Sequence, residues 1–173
     1  PLWVPDGRAG FEPELSIRYG SRGGNGLLGV GFSLSGLSAI TRCGQNIAID
    51  GVTRCVDFSG EDRFCLDGQR LVLVEGSYGE SGSEYRTERE SYKKILFFEG
   101  DLFEPGHFIV ETKEGFVFEY RGIKAGRAKP SILAPYEMMI FERADVLWVL
   151  KSIEDCSGNQ IVFNYDVKNA AND

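Results

Sequence analysis

Gly24, Gly26 and Gly29 in "GGNGLLGVGF" are spaced G-x-G-x-x-G, the turn with which a dinucleotide-binding βαβ unit approaches a pyrophosphate. An apparent strand, "ELSIRY", precedes it, and Asp50 follows roughly twenty residues on, where an acid would take a ribose hydroxyl. That chemistry requires a helix whose N-terminus meets the phosphate. The residues after the turn do not read as one. Leu28, Val30, Phe32 and Leu34 fall on every second position, with Gly29, Gly31 and Ser33 between them, which is a strand period. In a helix Gly29 and Gly31 would each cost about 1 kcal/mol relative to alanine. The stretch therefore reads as a turn, Arg22-Gly23-Gly24-Asn25-Gly26, joining two strands. One face of the second strand sends Leu28, Val30, Phe32 and Leu34 into a core. The bare face at Gly29 and Gly31 lets another backbone or ring pack close. No cofactor is expected.

The other chemical candidates are sparse. His107 is the single histidine, set after a Pro-Gly turn in "EPGHFIV". A hydrolase would need a nucleophile and an orienting acid beside it, and nothing local supplies both, so it reads as a strand-end histidine. Glu84, Glu88 and Glu90, interleaved with Arg86 and Arg89, have the composition of a cation site or carboxylate pair. On a strand, however, Glu84, Arg86 and Glu88 share one face, and alternating charge of that kind is a solvated face with cross-strand pairing. "DFSGED", residues 57 to 62, is the nearest approach to a calcium loop, but it lacks D-x-D-x-D-G and reads as a polar turn. Cys43, Cys55, Cys65 and Cys156 lack the close paired spacing of a zinc site, so no metal is expected. Tyr78, Tyr85, Tyr92, Tyr120 and Tyr136 could stack sugar rings on a glycan-binding face, or they could pack within sheets.

The elements that would position these residues are strands. Hydrophobic residues make up 42% of the 173 and charged residues 26%, enough apolar material for one core. The net charge of -7 excludes a nucleic-acid partner and an anionic membrane surface. No apolar run reaches the roughly 18 residues of a spanning helix. Twenty-two glycines and abundant Phe and Tyr point to turns between aromatic, β-branched strands. "RFCLDGQRLVLV" predicts a hairpin with Asp67-Gly68 at a type I′ turn. "HFIVETKEGFVFEY" predicts a second about Glu114-Gly115. "VLWVLKSIEDCSGNQIVFNY" predicts a third, turning at Ser157-Gly158-Asn159. Residues 75 to 85 read as a glycine- and serine-rich loop. Residues 121 to 145 read as a long connection or insertion, with a helical turn near "YEMMIFERA". Residues 167 to 173 read as a frayed end or linker, and the opening Pro1 reads as the start of a processed or excised segment. The fold class is all-β, a predominantly antiparallel sheet of successive hairpins in a single module spanning 1 to 173.

"GRAGFEPELSIRYGSRGGNGLLGVGFSLSGLSAITRC" resembles the opening of the SpvB/TcaC N-terminal domain. That domain begins Tc-type insecticidal toxin B components, the Salmonella virulence plasmid B protein and large RHS/YD-repeat proteins. Gly10, Pro13, Leu15, Ile17, Tyr19 and Ser21 carry the first part of the pattern. Gly24-Asn25-Gly26, Leu28-Gly29, Gly31-Phe32, Leu34, Ile40 and Arg42 carry the rest, with Phe32 where many relatives have tryptophan. "DRFCLDGQRLVLV", "YGESGSEYRTERESYKKI" and "IEDCSGNQIVFNY" extend the likeness, and 121 to 145 matches least. The resemblance implies a non-catalytic structural module of a secreted or cell-surface bacterial toxin, part of a larger RHS/YD-type shell around a toxic C-terminal payload. It implies no cofactor. Its partners would be downstream regions of the same polypeptide and other toxin-complex subunits, and a stand-alone adhesin or glycan-binding module is the alternative. The four cysteines permit three full pairings. The secretory setting implied by the resemblance favours at least one disulfide over four free thiols. Cys43 and Cys65, both beside apparent strands, could form it, with Cys55 able to compete for either.

Overall fold

A computed structural model describes residues 1–22, 24–26, 29–101, 104–130 and 139–165. The chain opens with a 3-10 turn at Arg8–Gly10 and then a small hairpin. In that hairpin β1 (Ser16–Tyr19) pairs antiparallel with β4 (Phe32–Ser35), while β2 (Asn25–Gly26) pairs with β3 (Gly29–Val30) nearer the tip.

From residue 39 the chain meanders. The strands are β5 (Ala39–Cys43), β6 (Arg63–Leu66), β7 (Gln69–Glu75), β8 (Glu84–Thr87), β9 (Lys94–Phe98), β10 (His107–Glu111), β11 (Val117–Pro130) and β12 (Met139–Glu154). From β6 onward each pairs antiparallel with its predecessor. β12 then returns to β5, with Leu147 opposite Thr41, Trp148 opposite Ile40 and Val149 opposite Ala39. This pairing closes the sheet into a barrel. β13 (Gln160–Val162) continues beyond β5 along the same side of β12. One short helix, α1 (Ile47–Asp50), lies between β5 and β6.

Local chemistry explains the hairpins. Asp67 and Gly68 hold φ of 49° and 78°, the two positive values that a type I′ turn needs between β6 and β7. Asp67 also accepts from the Ala39 N–H and the Ser38 hydroxyl, and Ser38 meets the Tyr120 hydroxyl, tying this turn to β5 and β11. Asp155 closes the turn before β13 by accepting from the Ser157 and Asn159 N–H groups. The Asn159 side-chain amide and these backbone donors hold Asp155 below the usual carboxylate range.

A barrel of this strand number has an interior just wide enough for side chains to fill. Here aromatic rings fill much of it. Phe64 lies 5.2 Å from Phe108 and Trp148, 5.5 Å from Phe97 and 5.9 Å from Tyr85, centroid to centroid. Ile40, Leu66, Leu71, Ile95, Val110, Tyr120 and Leu150 complete the buried cluster.

Three expectations are corrected. The glycine stretch is not one strand feeding a core: it breaks at Gly31, and Val30, Phe32 and Leu34 are exposed. Asn25 and Gly26 are strand residues rather than the turn, because they pair with Val30 and Gly29. Residues 121 to 145 are not a loop where they are described. β11 and β12 stay paired from Lys124 opposite Asp145 out to Pro130 opposite Met139, past the end of β10, as a two-stranded ribbon. Pro130 sits at the last pair of the ladder, where its missing N–H interrupts nothing further along. The predicted helical turn falls partly on residues 136 to 138, outside the described residues, while 139 to 144 are strand. The frayed end at 167 to 173 also lies outside them.

Candidate functional site

The stretch that spelled a dinucleotide turn carries no helix after its glycines, and Asp50 has a different task. Asn46 caps α1 through its side chain, which accepts from the Ile49 N–H, and the Asn46 N–H in turn donates to Asp50. Asp50 also accepts from Arg63 Nε at 3.0 Å and from Arg70 Nη2 at 2.6 Å. Burial alone would raise its pKa, but the Asn46 N–H and the two guanidinium groups outweigh burial and hold it below the ordinary value. Beside this hub a disulfide joins Cys43 on β5 to Cys65 on β6, with Cα atoms 6.1 Å apart. Cys55 and Cys156 are exposed free thiols.

The remaining candidates are dispersed. Gly24 and Gly29 are exposed or half-buried in the hairpin, whereas Gly31 is buried against the Tyr19 ring. Phe32 tilts against Tyr19 at 5.0 Å. His107 stacks on Phe98 at 4.9 Å, with Phe98 and Arg121 opposite it in the ladder. Glu84 pairs with Arg86 and Lys94, and Glu90 caps the Tyr92 N–H. Among the described residues no cluster of three His, Cys, Asp or Glu side chains could hold a metal, and no helix is long and apolar enough to cross a membrane. Among the described residues the candidate tyrosines do not line one exposed face. Tyr85 and Tyr120 are buried, Tyr78 packs on Phe64 of β6 and is hydrogen-bonded to its backbone, Tyr92 is exposed, and Tyr136 lies outside the described residues. In that last contact the Phe64 N–H is the donor and the Tyr78 hydroxyl accepts at 2.6 Å. Burial raises the Tyr78 and Tyr120 hydroxyls well above the usual phenol value.

A concavity at one mouth of the barrel was not anticipated. It has a volume of about 500 Å³ and a floor of Phe64, Tyr78, Phe97 and Trp148. Arg42 of β5 reaches into this end. Its Nε donates to the Asp145 carbonyl at 2.7 Å and its Nη1 to the Ser59 carbonyl at 3.1 Å. Its guanidinium carbon sits 5.7 Å from the Trp148 ring centre and 5.9 Å from that of Phe64. Asp62, nearly buried, lies 3.5 Å from the same guanidinium and accepts from the Asp57 N–H, so the "DFSGED" turn positions it. Lys124 donates to the Asp101 and Glu104 carbonyls on the opposite side. No local spacing marked this site. Arg42, Asp62 and Asp145 come from β5, a loop and β12, and barrel closure alone brings them together.

The fold and this arrangement define a class: a closed antiparallel barrel, packed with aromatics and preceded by a glycine-rich hairpin. Residues 1–114 match the family model described as SpvB, Salmonella virulence plasmid 65kDa B protein, and the chain belongs to that family. Two solved structures share the fold. One is a chain in the crystal structure of TcdB2-TccC3-Cdc42, at TM-score 0.69 and 19% identity over 99% of this chain. The other is the N-terminal domain of effector protein SpvB from Salmonella typhimurium strain LT2, at TM-score 0.63 and 21% identity over 94%. The chain spans 8% of the first and 52% of the second. No curated protein sequence matches it.

Proposed function

We propose that the chain is a non-catalytic N-terminal structural module of a large secreted bacterial toxin or RHS/YD-repeat protein, and that it forms part of the β-shell around a toxic C-terminal payload. The observation that carries this reading is the outer hairpin. Tyr19 lies opposite Phe32 and Ile17 opposite Leu34, so β1 and β4 present one apolar face, with Arg18, Ser33, Ser16 and Ser35 as the intervening pairs. Tyr19 is 65% exposed and Ile17 47%. Neither strand pairs with the barrel. An apolar two-stranded face of this kind is marginal in water by itself and is suited to further sheet packed upon it. Its cover would be downstream regions of the same polypeptide or another toxin-complex subunit. That the related folds are parts of much longer chains supports the same reading. Intact mass of the native product, with peptide sequencing past Asp173, tests it. A chain of many more residues with recurring elements like "GNQIVFNY" is expected, and a mature protein ending near Asp173 would overturn the proposal.

A further inference from the structure

Both cysteines of the Cys43–Cys65 disulfide line a groove of about 490 Å³, formed by β5, β6, β7 and the turn after β8. Cys43 is half-buried, whereas Cys65 is 7% exposed. Each half of the bond has an arginine directly across the ladder: Cys43 stands opposite Arg63, and Cys65 opposite Arg70. Side chains so placed are neighbours on one face of a sheet. Arg63 and Arg70 share a single carboxylate, that of Asp50. Arg89, exposed on the groove wall, makes no ion pair among the described residues. Of the acids in the groove, Asp67 is engaged by the Ser38 hydroxyl and the Ala39 N–H, and Glu88 is exposed. Guanidinium groups beside a sulfur favour its thiolate form, which makes it a better leaving group in exchange.

We propose that this disulfide is a redox latch, opened from the groove in the folded state by a small carboxylate-bearing thiol of the glutathione kind. The thiolate attacks Sγ of Cys43, the more exposed half. A new S–S bond forms there, the bond to Cys65 breaks, and Cys65 leaves as a thiolate that takes a proton from water. A second glutathione thiolate then displaces Cys43, giving oxidised glutathione and two protein thiols. The carboxylates of the thiol suit Arg89, and its ammonium suits Glu88. Cleavage leaves the loop that carries α1 to the Gln45–Arg54 bridge and the Asp50 ion pairs alone. The module thus holds this loop fast in oxidising surroundings and loosens it in thiol-rich ones. The latch stands on this groove and is independent of the shell reading.

The test uses the 173-residue chain carrying Cys55→Ser/Cys156→Ser, so that only the Cys43–Cys65 bond can exchange. Its reduction by glutathione is followed by quenching with an alkylating agent and weighing the products. The rate should be first order in glutathione and indifferent to urea below the unfolding transition, as attack on the folded state requires. Arg89→Ala, an exposed substitution, should slow glutathione about threefold, the worth of one exposed ion pair. The same variant should react with mercaptoethanol, which has no carboxylate, as its parent does. A rate that climbs with urea through that range would show that the bond is reached only by unfolding, and would overturn the proposal. So would an Arg89→Ala variant that slows both thiols alike or neither.

Discussion

At Gly31 the backbone holds φ of 79°, and a Cβ there would sit 2.7 Å from Tyr19 Cε2 and 2.9 Å from the Gly20 carbonyl oxygen. Both conditions demand glycine: the first is a conformation that L side chains rarely adopt, and the second leaves no volume for one. Gly29 shares the positive φ but faces open space, so the two glycines of the same motif answer different constraints. Gly31→Val is therefore expected to open the β1/β4 hairpin while leaving the barrel intact, since neither strand joins the barrel sheet. Amide exchange should quicken at residues 16 to 19 and 32 to 35, with the melting temperature of the barrel held; protection unchanged at those amides would refute the packing role. Of the bare face expected at Gly29 and Gly31, only Gly31 lies close to a ring, and it does so at a break between β3 and β4 rather than within one strand. The role of Asp50 was not legible in the sequence. Its distance from the glycines suggested a ribose ligand, whereas Arg63 and Arg70 reach it from the two strands that follow α1.

Among the elements, β5 and β6 are joined by both a ladder and a covalent bond. Cys43 stands opposite Arg63, and Cys65 opposite Thr41, so the disulfide crosses the pair diagonally. It closes a loop with a sequence separation of 22 that contains α1 and the "DFSGED" turn. Holding those ends together in the unfolded chain is worth about 3 kcal/mol in the loop-entropy account. Cys43→Ser/Cys65→Ser should then lower the melting temperature by about 10 °C for a domain of this size, measured by calorimetry in a Cys55→Ser/Cys156→Ser background that excludes exchange. An unchanged melt would mean that the ladder and the Asp50 ion pairs already fix the loop. Hairpins of this type were readable because alternation and turn residues are both local: β6 with β7, β10 with β11, and β12 with β13 all follow from short spans. The ribbon of β11 and β12 was not readable. Its prolines and mixed charges resemble a loop, whereas the backbone pairs in a ladder from Lys124 opposite Asp145 to Pro130 opposite Met139.

For the whole molecule, the decisive contact is the longest-range strand pairing among the described residues. Pairing β12 with β5 joins residues more than a hundred positions apart, converting a run of hairpins into a closed barrel. Nothing local announces it, so the sheet class was legible while the closure, and with it the mouth where Arg42 meets Asp145 and Trp148, was not. Closure also explains why the hairpin before β5 matters. A barrel has satisfied its own strand edges, leaving the apolar face of β1 and β4 as the surface with unmet demand. If that face normally lies beneath further polypeptide, the isolated chain should self-associate through it. Sedimentation velocity is expected to show concentration-dependent association of the 173-residue chain. Tyr19→Ser/Phe32→Ser should abolish it without moving the barrel melt, because the two rings contact each other and not the barrel core. A parent chain that stays monomeric across the accessible concentrations would show that the face needs no cover, and would remove the main physical support for a shell role. Association that survives the double substitution would shift attention to the exposed edge of β13 instead.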